Sequence, residues 1–190
     1  MNSPPVFLPL ADKLFYQVDS QMPPVVLEEI IKQVKAAPKH QSNVGPPQDG
    51  KHIPDVRSST NSWLPWDHWI SGILHNLFIS ANNDFFHYKL NHFDSQIQVT
   101  CYHENDFYDW HTDATATNHP SEKKLSMSFL LTDDYEGGEL EFLMTPKTWN
   151  YRPKAGSAII FPSWLPHRVK PVTKGERLSL VAWENGPVFV

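Results

Sequence analysis

Hydrophobic positions follow two different periods along this chain, and the change falls near residue 84. Between residues 23 and 36, Val26, Leu27, Ile30, Ile31 and Val34 recur at three- and four-residue steps. Pro23-Pro24 can open a helix there and Pro38 can end it. A second helix is expected over about 65–83, where Trp66, Trp69, Ile70, Ile73, Leu74, Leu77, Phe78 and Ala81 make a wide apolar face. Between the two, residues 38–62 are rich in Pro, Gly, Asn and Ser and read as a long irregular loop.

Beyond residue 84 short alternating runs replace the helical period. Phe85–Leu90, Gln96–Tyr102, Lys124–Leu131, Glu139–Leu143, Ala158–Phe161, His167–Val169 and Arg177–Trp183 each read as a strand. Gly137-Gly138, Gly156 and Gly175 mark tight turns between them. Leading helices followed by seven or eight strands predict a mainly β fold, a two-sheet jelly roll with helices buttressing one sheet. The expected organisation is a helical support region, residues 1–84, and a jelly-roll core, residues 85–190, in one compact domain. No internal repeat or separating linker is visible.

Composition narrows the class. A chain of 190 residues with 13 % aromatics can bury a proper core without disulfides. The formal net charge of −5 gives no electrostatic reason to bind nucleic acid or an anionic membrane. The single cysteine, Cys101, reads as a small buried strand residue and fits a reducing compartment. No apolar run approaches the length of a membrane span, and the first ten residues lack the pattern of a secretory signal. The cytoplasm is therefore the expected location.

Candidate chemistry gathers around His111-Thr112-Asp113, with His167 and Arg177 following. Residues i and i+2 of a strand share a face, so His111 and Asp113 can grip one ion. His167 can complete the set from a neighbouring strand, after the stiff approach Pro162-Ser-Trp-Leu-Pro166. Two imidazoles and one carboxylate on one side of a metal favour non-haem Fe(II) with open positions. Arg177 offers a planar fork for a carboxylate. A second pair, His92-Phe93-Asp94, lies in a polar connection and reads as structural, as do His68 and His75 in the second helix.

From Gln98 to Trp183 the chain resembles the Fe(II)/2-oxoglutarate-dependent dioxygenases, specifically their prolyl 4-hydroxylase-like branch. The matching pieces are Tyr102 and Tyr108-Asp-Trp-His111-Thr-Asp113, then Glu136-Gly-Gly-Glu-Leu140 and Pro153–Phe161. His167 and Arg177-Leu-Ser179-Leu-Val-Ala-Trp183 follow in family order. Val56-Arg-Ser-Ser and the second helix resemble the support region of the same branch. The resemblance implies that His111, Asp113 and His167 bind iron. It also implies that Arg177, helped by Ser179, holds the distal carboxylate of 2-oxoglutarate. Tyr102 would line the co-substrate pocket, Tyr108 would stand at its entrance and Trp183 beside the metal.

The implied activity is hydroxylation of a C–H bond with release of succinate and CO2, with ascorbate as an optional reductant. By family analogy the substrate is a protein, a peptide or an amino acid, with a prolyl residue favoured. One departure is visible. Where relatives often carry a tyrosine reaching the co-substrate, this chain has Ser126-Met-Ser128, so Ser128 or a water would take its place. An AlkB-like demethylase would carry a second arginine six positions after Arg177, where Trp183 stands. A cupin-like, non-enzymatic metal module would prefer a His-x-His pair, and none occurs. The loop Ala114–Lys124 beside the expected metal is a candidate lid.

Overall fold

In a computed structural model, residues 14–19, 22–44, 50–114, 121–144 and 147–188 are described. Among them, two antiparallel sheets face each other and helices cover the outer side of the larger one. The major sheet runs Tyr16–Val18, Ala158–Pro162, Ser121–Leu130, Arg177–Pro187, Gln96–Tyr102, Thr60–Pro65 and His40–Gln41, with His92–Phe93 pairing the far end of Arg177–Pro187. The minor sheet runs Lys147–Tyr151, Leu140–Met144, His167–Val169, Phe107–His111 and Arg57–Ser58. This is the double-stranded β-helix, or jelly roll, expected from the strand pattern.

The two-residue period of the central strands sorts their side chains between two cores. Leu178, Leu180 and Ala182 join Leu125, Met127, Phe129, Ile97, Val99 and Cys101 on the face turned to the helices. The alternate positions Arg177, Ser179, Val181 and Trp183 therefore face the minor sheet. There they meet a second apolar cluster built on Tyr102, Phe142, Ile159, Phe161 and Val172. One face of each strand is thus reserved for packing and the other is partly given to polar groups.

The first helix spans Pro24–Ala36 and buries Ile30 and Val34, as its pattern predicts. The second is shorter than expected, Ile70–Ala81. No side-chain hydrogen bond caps its start, a device worth about 1 kcal/mol. Burial of Ile70, Leu74 and Phe78, at roughly 1.5–3 kcal/mol per side chain, outweighs that lack.

The expected first turn of that helix is instead the end of the strand Thr60–Pro65 followed by a turn over residues 66–69. Apolar positions 66 and 69 fit the helical period but are not used by it, since Trp66 and Trp69 are exposed. Pro65 ends the strand in a turn, with the His68 N–H bonded to the Pro65 carbonyl.

Three other expectations change. The loop 38–62 contains the strands His40–Gln41 and Arg57–Ser58 and the start of Thr60–Pro65, short elements that pairing partners hold in place. Residues 85–90 do not form a strand. The helix runs on into a π-helical turn, Asn82–Phe86, and His87 adopts a left-handed conformation with φ 55°. The Asn82 side chain then clamps both backbone groups of Tyr88, at 2.8 and 3.0 Å. The aromatic run Phe107–Trp110, outside every expected strand, lies in the strand Phe107–His111. Lys147–Tyr151 is an additional strand that its mixed polarity hid.

Candidate metal centre

His111 ends its strand directly opposite His167, its antiparallel partner in the minor sheet. Asp113 lies two residues past the strand end, where its N–H and that of Ala114 both donate to the Ser163 carbonyl at 2.9 Å. The Pro162–Leu165 turn thereby fixes the carboxylate from one side and leads into His167 on the other. His111 Nε2 lies 4.0 Å from Asp113 Oδ1, and His167 Nε2 lies 3.6 Å from Asp113 Oδ2. One ligand atom from each of the three residues falls within 4.8 Å of the others.

Each imidazole is oriented through its other nitrogen. His111 Nδ1 donates to the Asp109 carbonyl at 2.8 Å and His167 Nδ1 to the Leu165 carbonyl at 2.9 Å. A carbonyl only accepts, so both rings carry a proton on Nδ1 and turn Nε2 inward. Tyr108 stacks flat on His111 with centroids 3.6 Å apart. Burial and the neighbouring His167 push the His111 pKa down to about 3, which keeps the ring neutral and available as a ligand. Burial works against ionisation of Asp113, but His167, Lys123 and His111 outweigh it. Its carboxyl is held well below the usual range. Two imidazoles and one carboxylate, preoriented and largely buried, fit a non-haem ferrous ion.

Ser126 was not singled out from sequence. Its hydroxyl donates to Asp113 Oδ2 at 2.7 Å and lies 2.8 Å from Ser163 Oγ. The position expected to compensate for the missing tyrosine, Ser128, is buried two residues along the same strand face. Arg57 was also missed as a site residue. It is buried, donates to Ser59 Oγ and Asn61 Oδ1 at 2.9 and 3.1 Å, and lies 4.4 Å over the Tyr108 ring. The only sequence signal for it was the block Val56-Arg-Ser-Ser, since contact with Tyr108 depends on pairing of distant strands.

Arg177 is 4 % exposed, and its guanidinium meets no carboxylate among the described residues. Nη1 donates to Ser179 Oγ at 3.0 Å, while Nε is buried with no hydrogen-bond partner. The Tyr102 ring lies 5.6 Å from its Cζ. A buried cation with an unmet N–H is costly, and an incoming carboxylate would satisfy both its charge and its donors. The small and polar side chains Thr100, Ser128 and Ser179 sit on the same interior face as Arg177.

Trp183 is buried beside this floor with Lys123 Nζ 3.3 Å over its ring. His92 is exposed and pairs with Asn185 at the sheet end, apart from the triad. The candidate lid falls largely on residues 115–120, outside the described residues.

A jelly roll whose barrel mouth holds a two-histidine, one-carboxylate cluster, with an unpaired arginine deeper in, defines a class of metal-dependent oxygenase folds. Residues 97–185 match the 2OG-Fe(II) oxygenase superfamily. A PKHD-type hydroxylase of Alteromonas mediterranea is 39 % identical over 89 residues, covering 43 % of this chain and 39 % of the relative. The chain thus matches about two-fifths of the length of that relative. A prolyl-4-hydroxylase of Pseudomonas putida superposes with a TM-score of 0.74 at 19 % identity, covering 94 % of this chain and 96 % of the other. A Trichoplax adhaerens prolyl hydroxylase, solved with a hypoxia-inducible factor peptide, gives 0.73 at 18 % identity, with 92 % and 84 % covered.

Proposed function

We propose that the protein is an Fe(II)- and 2-oxoglutarate-dependent dioxygenase that hydroxylates a C–H bond and releases succinate and CO2. The favoured substrate is a prolyl residue in a protein or peptide. Among the described residues no helix is long and apolar enough to cross a membrane. The unpaired cysteine supports a cytoplasmic setting.

The observation that carries the reading is the buried, carboxylate-free guanidinium of Arg177, placed behind three preoriented ligands of the right types. His111, Asp113 and His167 would hold the iron. Arg177, with Ser179 against it, would neutralise the distal carboxylate of 2-oxoglutarate as it leaves water. Tyr102 would wall that pocket, and Tyr108 would keep the His111 ring in plane at the entrance. Trp183, buried with its indole N–H unpartnered, would close the pocket to water. Iron bound there supplies oxygen activation and C–H oxidation, which no side chain of this chain can perform. The peptide substrate is supported by the peptide bound to the Trichoplax prolyl hydroxylase.

Anaerobic titration with Fe(II) and 2-oxoglutarate tests the site. The weak visible charge-transfer absorbance of a keto-acid chelate is expected in the native protein and in His92→Ala. It is expected to be lost in Asp113→Ala. In Arg177→Gln, loss of a buried charge pair of roughly 3–5 kcal/mol should raise the 2-oxoglutarate requirement by about two to four powers of ten. An unchanged response in Asp113→Ala would falsify the assignment. Coupled succinate release with proline-containing peptides, with and without ascorbate, reads the activity itself.

A further inference from the structure

A second ligand cluster lies on the far side of the major sheet from Arg177. Strand Gln96–Tyr102 pairs with Arg177–Pro187 so that Tyr102 faces Arg177 and Cys101 faces Leu178. Tyr102 and Arg177 point between the sheets, whereas Cys101 and Leu178 belong to the cluster under the helices. His103, one position after Tyr102, and Glu176, one position before Arg177, share the side of Cys101. A ring nitrogen, a thiol sulfur and a carboxylate oxygen from these three residues all lie within 4.8 Å of one another.

We propose that Cys101, His103 and Glu176 form a second metal site, for a borderline-soft divalent cation of the zinc class. Cys101 Sγ lies 3.6 Å from His103 Nε2, the ring nitrogen placed to bind the ion; Glu176 Oε2 lies 3.7 Å from the other nitrogen, Nδ1, and must turn from it toward the ion. In a tetrahedral zinc site, bonds of about 2.3 Å to sulfur and 2.0 Å to nitrogen set those two atoms about 3.6 Å apart. The observed sulfur–nitrogen separation needs little adjustment. The donor set combines thiolate, imidazole and carboxylate, which selects against magnesium and calcium. His103 and Glu176 reach solvent, so an ion can enter and a water can complete its shell. The Thr60 hydroxyl, on the position paired with Cys101, is buried with no hydrogen-bond partner and is a spare donor for a thiolate.

Two features oppose the cation and set how it binds. Lys35 Nζ occupies Glu176 Oε1 at 3.1 Å, which leaves Oε2 as the ligand atom. Burial and the adjacent Glu176 push the Cys101 thiol up to about 11, so the ion must displace its proton. Binding at neutral pH therefore releases one proton to solvent, and affinity climbs about tenfold per pH unit. Occupation would clamp the two strands one residue from Arg177, on the opposite face of the sheet.

Cobalt(II) titration of the full, metal-stripped chain under anaerobic conditions, with a phosphine reductant, tests the site. The chain has one cysteine, so a thiolate-to-cobalt charge-transfer band in the near ultraviolet can come only from Cys101. The band should saturate at one equivalent, persist in Asp113→Ala and vanish in Cys101→Ala. His103→Ala and Glu176→Gln remove side chains that reach solvent and should fold normally. Each should weaken cobalt binding at this band by about tenfold or more. Absence of the band in the native chain overturns the proposal, and so does an unweakened band in both surface variants.

Discussion

At the scale of single residues, the centre depends on hydrogen bonds that hold the ligands before any ion arrives. Ser126 makes the clearest test, because its hydroxyl bridges Asp113 and Ser163 from a fully buried position. Ser126→Ala removes one oxygen and leaves the ligands intact. Partners of this kind are worth about 10–100-fold in metal affinity, so ferrous or manganese binding should weaken by that factor. The unfolding midpoint should move little by comparison, which separates a positioning role from a packing one. Arg57→Lys should act differently, since the ammonium cannot spread over Tyr108 while reaching Ser59 and Asn61. Looser stacking of Tyr108 on His111 should then appear as a raised metal dissociation constant, measured in the same titration.

The same residues show what was legible in the sequence. His111, Asp113, His167 and Arg177 stood out because their chemistry is rare in combination and their order matches a known pattern. Ser126, Ser163 and Arg57 carry common residue types, and their partners lie 13, 37 and 51 positions away in sequence, so nothing local marks them. Ser128 drew attention as the substitute for a missing tyrosine, yet the carboxylate contact is made by its neighbour two residues earlier. The strand face was correctly inferred from alternation, but the reach of a short hydroxyl could not be.

At the scale of elements, periodicity identified long segments and failed at short ones. The helix Pro24–Ala36 and the central strands have buried faces long enough to declare their period. Arg57–Ser58 and His40–Gln41 have only two residues each, so pairing with partners decides their conformation. Trp66 and Trp69 extended the apparent helix because three-residue spacing of large apolar groups is ambiguous beside a proline.

Turns were legible where geometry demands glycine. Gly137 has φ 69°, and a Cβ there would lie 2.4 Å from the Pro171 carbonyl oxygen. Backbone on both sides of the turn cannot yield cheaply. Gly137→Ala should therefore cost about 1–3 kcal/mol, seen as a lower denaturant midpoint at unchanged slope. If the midpoint were unaffected, the close pairing of Glu136–Gly137 with Val172–Lys174 would be wrong.

At the scale of the whole molecule, the helical layer and the major sheet are joined by a partly buried polar contact as well as by the apolar core. His75, on the helix Ile70–Ala81, lies with Nδ1 2.5 Å from Glu184 Oε1, and Glu184 is 1 % exposed. Glu184 follows Trp183 on the central strand, so this contact lies across the sheet from the candidate metal centre. Burial raises the Glu184 pKa, and His75 and His92 only partly offset it, while Asp94 raises it further. The folded protein therefore binds a proton at Glu184 at pH values where the unfolded chain has released it.

Stability then changes with pH in proportion to protons bound unfolded minus protons bound folded, a negative quantity at this group. Its favourable contribution is full below the unfolded carboxyl pKa of about 4.3 and is lost as pH rises through the raised folded value. Glu184→Gln keeps a group of the same shape opposite His75 and abolishes that titration. The variant should show a flatter fall in unfolding free energy with rising pH than the native protein, measured by urea denaturation across this window. An identical pH dependence in the two proteins would mean that Glu184 titrates alike folded and unfolded. The link between helix and sheet would then rest on the apolar cluster alone.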